Sequence, residues 1–138
     1  MSLNEYLPTP KGSGFIQRPP LTRRVPPSMR SVILYEEVKY DVGCPGSGDR
    51  ITVPVGFQTD YASVPRWLWP IFPPMGVYSG AAIIHDYLYK RQNRCRLECD
   101  DIFLEAMTAL GVSKTTRYAM YYAVRIWGQI AWDNNRRI

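Results

Sequence analysis

One histidine, three cysteines and no apolar run of membrane length: what this 138-residue chain has little of already narrows its chemistry. A bilayer-spanning helix needs roughly 18 or more consecutive apolar residues, and no stretch comes near that. The opening MSLNEYLPTP carries no basic segment followed by an apolar one, so no secretory leader is expected. Cys44, Cys95 and Cys99 are an odd set, which does not make a disulfide framework. Reduced thiols, in a protein made in a cytoplasm, are the expectation. Repeats are absent, and so is any composition break that would mark a second globular domain.

What is present suits one modest core. Hydrophobic residues make up 46% of the chain and aromatics 13%, enough to fold a single domain. The net charge of +5 is unevenly spread. Residues 1–30 hold Lys11, Arg18, Arg23, Arg24 and Arg30 against Glu5 alone, while the rest is close to neutral. Such a block suits an acidic partner or a solvated tail. No base-reading helix or interleaved aromatic pattern accompanies it, which argues against a nucleic-acid module. The same segment has six prolines and the run Gly12-Ser13-Gly14. It lacks the apolar periodicity to bury itself, so residues 1–30 read as an extended arm that gains order from neighbouring subunits.

Residues 31–138 read as a single α+β domain. SVILYEEVKYDV (31–42) is rich in β-branched and aromatic residues with rough alternation, and predicts a strand. CPGSGD supplies turn chemistry, and RITVPVGF (50–57) predicts the returning strand, with Pro54 marking an edge or a bulge. A β-hairpin or small sheet over about 31–58 should therefore pack on three helices. These are expected at 80–91 behind a Ser79 cap, at 97–110 ending at Gly111, and at 114–132 behind a Ser113 cap. Ala119, Ala123, Ile126 and Ile130 are expected on the buried stripe of the third. Between sheet and helices, Trp67, Leu68, Trp69, Ile71 and Phe72 form an apolar cluster expected to lid the core.

The polar residues of HDYLYKRQNRCRLECDD (85–101) fall on informative faces. At about 100° per residue, His85 is central among Ala81, Ile84, Leu88 and Tyr89, and Asp86 points to the flank shared with Lys90. On the next helix Asp100 edges the arc of Cys99, Phe103, Met107 and Leu110, whereas Asp101 joins Glu98 and Glu105 on the wet side. A short turn makes the two helices antiparallel, and at about 1.5 Å rise per residue His85 and Asp100 come level. An imidazole and a carboxylate should meet, with Tyr89 one turn away. In one reading Asp100 orients His85 as a general base and Asp86 offers a hard oxygen to Ca²⁺. In the other, His85, Asp100 and Tyr89 are a satisfied core network and Asp86 is a surface charge paired with Lys90. A zinc set of His85, Cys95, Cys99 and Asp60 matches no standard spacing. In TDYASVP (59–65), Asp60 reads as a backbone cap or as a neighbour of His85. Ser63 lacks the flanking glycines of a nucleophile elbow.

TVPVGFQTDYASVPRWLW, HDYLY, CDDIFLEAM and the closing IWGQIAW together resemble the domain-of-unknown-function 1353 family over residues 33–132. The resemblance implies a phage or prophage setting and no settled activity. Its recurrent polar positions correspond to Asp60, Ser63, His85, Asp86, Tyr89 and Asp100. The helix pair alone is also similar to the active-site helices of phospholipases of the A-two class. That similarity implies His85 as base, Asp86 on calcium, Tyr89 and Asp100 bracing the base. The glycine-rich calcium loop and the disulfides of that class are missing, so calcium would turn to Asp60. The expectation from all this is a bacteriophage virion protein, tail- or baseplate-associated. Its residues 1–30 would join other virion proteins or further copies of the chain. The alternative is a calcium-dependent, phospholipase-like or other envelope-directed hydrolase.

Overall fold

The computed structural model describes residues 22–25, 31–44, 46–59, 67, 70 and 79–136. Most of the basic arm, Asp60, Ser63 and most of the tryptophan-rich loop lie outside the described residues. The elements are β1 (Thr22–Val25), β2 (Ser31–Leu34), β3 (Val38–Asp41), β4 (Arg50–Val53), β5 (Gln58–Thr59), α1 (Ser79–Arg91), α2 (Arg96–Ala109) and α3 (Lys114–Arg136). The architecture is α+β, with two small antiparallel sheets packed on three helices. None of the described helices is long and apolar enough to cross a membrane.

The expected single strand over 31–42 is two strands in two sheets. β2 lies between β1 and β5, with Arg24 opposite Val32 and Val32 opposite Thr59, while β3 pairs with β4 from Val38↔Val53 to Asp41↔Arg50. The alternation still runs unbroken: Val32, Leu34, Glu36, Val38 and Tyr40 are buried, and Tyr35, Glu37 and Lys39 are exposed. The chain thus keeps its faces through a bend at residues 35–37 and exchanges partners there. β4 stops at Val53 because Pro54 has no N–H for a ladder. Gly56, at φ 90°, then turns the chain so that its N–H reaches Leu34 O at 2.9 Å. The outermost strand, β1, comes from the segment read as arm, so the sheet begins at Thr22 rather than at residue 31.

The helix ends follow local chemistry. Gly111 (φ 79°) closes α2: its N–H bonds Thr108 O at 3.1 Å and the N–H of Val112 bonds Met107 O at 3.0 Å. Ser113 caps α3, its Oγ accepting from Thr116 N at 3.4 Å. Ser79 does not act as the expected cap. It is the first residue inside α1, and its buried Oγ has no hydrogen-bond partner among the described residues.

The core explains a second departure. Every residue of α1 from Ser79 to Asp86 is buried, because the helix packs against α2, α3, β3, β4 and β5 together. Asp86 is therefore buried, not the surface charge of the core-network reading, although Lys90 stands 3.6 Å from it as that reading expects. Ala81, Ile84 and Leu88 meet Val53 and Leu34 of the sheets and Phe103 and Met107 of α2 in one cluster. Each large apolar side chain sealed this way stabilises the fold by about 1.5–3 kcal/mol. On α3 the buried stripe is Met120, Ala123, Val124 and Gly128. Of the stripe read from sequence only Ala123 faces inward; Ala119, Ile126 and Ile130 face solvent. Trp67 is no lid over the core either: it is 58% exposed and packs edge-on against Trp127, ring centroids 4.9 Å apart.

Candidate functional site

α1 places His85 and Tyr89 one turn apart on the side facing α2, and α2 brings Asp100 level with both. His85 Nε2 lies 2.7 Å from Asp100 Oδ1, and the Tyr89 hydroxyl donates to the same oxygen at 2.6 Å. The other oxygen, Oδ2, takes Arg125 Nη1 from α3 at 2.7 Å and, more loosely, Arg96 Nη1 at 3.4 Å. Four donors from three helices thus converge on one carboxylate. His85, Asp100 and Tyr89 are each 0% exposed.

The imidazole is also held by its faces. Phe103 stacks on it with centroids 4.5 Å apart and planes 25° from parallel, and Tyr89 lies against the ring at 4.3 Å. Arg96 does more than approach Asp100. It donates to the mid-helix carbonyls of Val124 at 3.0 Å and Arg125 at 3.2 Å, so it ties α2 to α3. Gly128 makes room for this crossing. A Cβ there would lie 2.7 Å from the Tyr89 hydroxyl oxygen and 3.2 Å from Arg96 Nη1.

Charge settles how the protons sit. Burial alone would push the Asp100 carboxyl up, but the hydrogen bonds from His85, Tyr89 and Arg125 outweigh it and hold it below the usual carboxylate value. An ionised carboxylate only accepts, so Nε2 of His85 carries the proton toward Asp100. In the neutral ring the lone pair then lies on Nδ1. The Tyr89 phenol is pushed well above its ordinary value, first by burial and then by Asp100, so it stays a donor.

Asp86 points toward β5. Thr59 Oγ1 donates to its Oδ2, and Lys90 Nζ stands 3.6 Å from the same oxygen. Lys90 in turn donates to Gln58 O at 2.9 Å and sits over the Phe57 ring. His85 thus bonds toward α2, and Asp86, about 100° further round α1, bonds toward β5. Lys90 already balances the Asp86 carboxylate, which leaves a divalent cation less to gain there; the second expected ligand, Asp60, lies outside the described residues. Among the described residues, no group of three or more His, Cys, Asp or Glu side chains could hold a metal ion. The zinc set does not assemble from them: Cys95 is exposed, whereas Cys99 is buried with its thiol pushed up to about 12, chiefly by burial.

The sequence reading missed Arg96, Arg125, Thr59 and Gly128. Arg96 had a signal, since it stands four residues before Asp100 on one helix. A glycine inside a long helix was a second. Arg125 and Thr59 had none, because tertiary packing alone brings them in.

A model of the family described as "Protein of unknown function (DUF1353)" matches residues 33–124, and the chain belongs to that family. The match takes in His85, Tyr89, Arg96 and Asp100 and stops one residue short of Arg125. A curated relative, "Uncharacterized protein y4jT" of Sinorhizobium fredii (strain NBRC 101917 / NGR234), is 36% identical over 84 residues. The aligned part is 59% of this chain and 25% of the relative, so the chain spans about a quarter of that protein's length. No solved structure matches.

Proposed function

We propose that this member of the DUF1353 family is a structural protein of a bacteriophage virion, tail- or baseplate-associated, attached to neighbouring subunits through its basic leading segment. The observation that carries the reading is the closed character of the hub. Asp100 has both oxygens filled, His85 is stacked and fully buried, and the three helices are locked in register by one carboxylate. Such a network suits a rigid body that must keep its shape in an assembly. The charge and proline content of residues 1–30 supply a segment suited to lacing such bodies together. β1 pairs with β2, so the lacing segment is the part before Thr22.

The test is a deletion of residues 1–20, which spares β1. In particles from an induced lysogen carrying this gene, mass spectrometry should find the full chain and not the truncated one, although the truncated chain melts at the same temperature. Absence of the full chain from purified particles, or equal incorporation of both, would refute the reading.

A second reading, an envelope-directed hydrolase, is favoured by one observation: the 2.7 Å His85–Asp100 pair has the geometry that orients an imidazole base. It requires the site to open, since a base must come within about 3 Å of the proton it takes. It predicts that His85→Asn abolishes turnover of phospholipid or cell-wall substrate, with or without Ca²⁺, while the chain stays folded. No turnover by the parent chain on either substrate class disposes of it.

A further inference from the structure

α3 has a second apolar face that stays exposed among the described residues. Tyr118, Tyr122, Ile126 and Ile130 follow one another at intervals of four and are 38%, 59%, 63% and 67% exposed. Trp127 and Trp67 continue the patch at its side, both more than a third exposed. Among the described residues, no exposed position between Lys114 and Arg136 carries a charge. The charged side chains in that interval turn inward: Arg117 donates to Val112 O and Arg125 to Asp100. Asp133 is half-buried and accepts from Gln129. A solvent face of this length ordinarily holds lysine and glutamate, and a contiguous apolar patch on a small domain marks an interaction surface.

Three properties of the patch point to the same occupant. A row at intervals of four is the ridge that interdigitates with an identical ridge in the commonest class of helix packing. The row is aromatic in its first half and aliphatic in its second, so a reversed copy lays tyrosine on isoleucine along the whole contact. With an aromatic side chain offering roughly 150–250 Å² in full, the exposed patch is on the order of 500 Å² per copy. A pair then buries about 1,000 Å², the lower bound of a specific interface.

We propose that the outer face of α3 is a homodimer interface. A second copy of the chain packs antiparallel across a two-fold axis, with Tyr122 against the partner's Ile126 and the reverse. The inference is independent of the virion assignment and of any chemistry at His85.

Sedimentation equilibrium on the full chain under reducing conditions tests it. The parent should dimerise at micromolar concentration. Tyr122→Glu and Ile126→Lys should each weaken the dimer at least tenfold while leaving the melting temperature unchanged at dilutions where the parent too is monomeric. An equimolar mixture of the two variants should dimerise again, because the antiparallel register sets the introduced carboxylate opposite the introduced ammonium. A parent that stays monomeric to hundreds of micromolar overturns the proposal. So does a dimer untouched by either substitution, or a mixture that stays monomeric. A monomeric parent that cosediments with phosphatidylglycerol vesicles, and loses this with Tyr122→Glu, would assign the face to a lipid surface instead.

Discussion

Replacing Gly128 by alanine sets two well-understood effects against each other. In an ordinary helix interior the change stabilises by about 1 kcal/mol, because alanine is the better helix former and restricts the unfolded chain. Here the new methyl would stand 2.7 Å from the Tyr89 hydroxyl oxygen. That oxygen is the end of a side chain, yet it cannot swing aside at low cost. It is 2.6 Å from Asp100, its ring is fully buried, and Trp132 packs edge-on against it at 5.1 Å. Overpacking of this kind costs about 1–3 kcal/mol. Displacing the hydroxyl from an ionised carboxylate forfeits about 1.5–3 kcal/mol more. The clash wins, and Gly128→Ala should lose roughly 1.5–5 kcal/mol net, a fall in Tm of the order of 5–20 °C for a chain this size. The assay is thermal and urea unfolding followed by circular dichroism, run as a double-mutant cycle with Tyr89→Phe. Without the hydroxyl, the nearest atoms to the new methyl are Arg96 Nη1 at 3.2 Å and a ring carbon at 3.6 Å. The penalty should shrink by at least half in that background. A Gly128→Ala protein as stable as the parent, or equal penalties in both backgrounds, would refute the argument that these helices cross through the hub.

Other outcomes follow from the same contacts. Asp100→Asn keeps the shape but leaves Arg96 and Arg125 without their anion, and should destabilise by about 3–5 kcal/mol in urea unfolding. The Asp41 carboxyl is held down at about 2, from an ordinary 3.8, first by its hydrogen bond from Arg50 and then by the Gly46 N–H. A carboxyl lowered by folding contributes stability above its unfolded value, and that contribution is lost as pH falls through the folded one. Stability measured between pH 4 and pH 2 should therefore fall less steeply in Asp41→Asn than in the parent. Cys44 and Cys95 are exposed, while burial pushes the Cys99 thiol up to about 12. Iodoacetamide at pH 8 should modify two cysteines quickly and the third only at the rate of unfolding, read by intact mass.

Local chemistry made the helices legible in advance. Gly111 and Ser113 announce the break between α2 and α3, and both perform the expected bonds. The meeting of His85 and Asp100 was legible for a geometric reason, since two rods joined by a short turn have few ways to align. The burial of Asp86 was not. A helix enclosed on all sides has no strong polar face, so a reading that looks for one assigns its charges to solvent. α3 misled in the opposite sense. It carries an inward stripe, with Ala123, and an outward one, with Ile126 and Ile130, and apolar character alone does not say which meets the core. The bend at residues 35–37 was hidden because the alternation runs straight through it.

Asp100 fastens all three helices together, which bears on how this half of the molecule comes apart. α1 enters through His85 and Tyr89, α3 through Arg125, and α2 supplies the carboxylate itself. Loosening any one rod strands a buried anion for the other two. The helical half should thus open as a unit, with amides in Ile84, Phe103 and Val124 exchanging with deuterium at one common rate, while the two small sheets breathe separately and sooner.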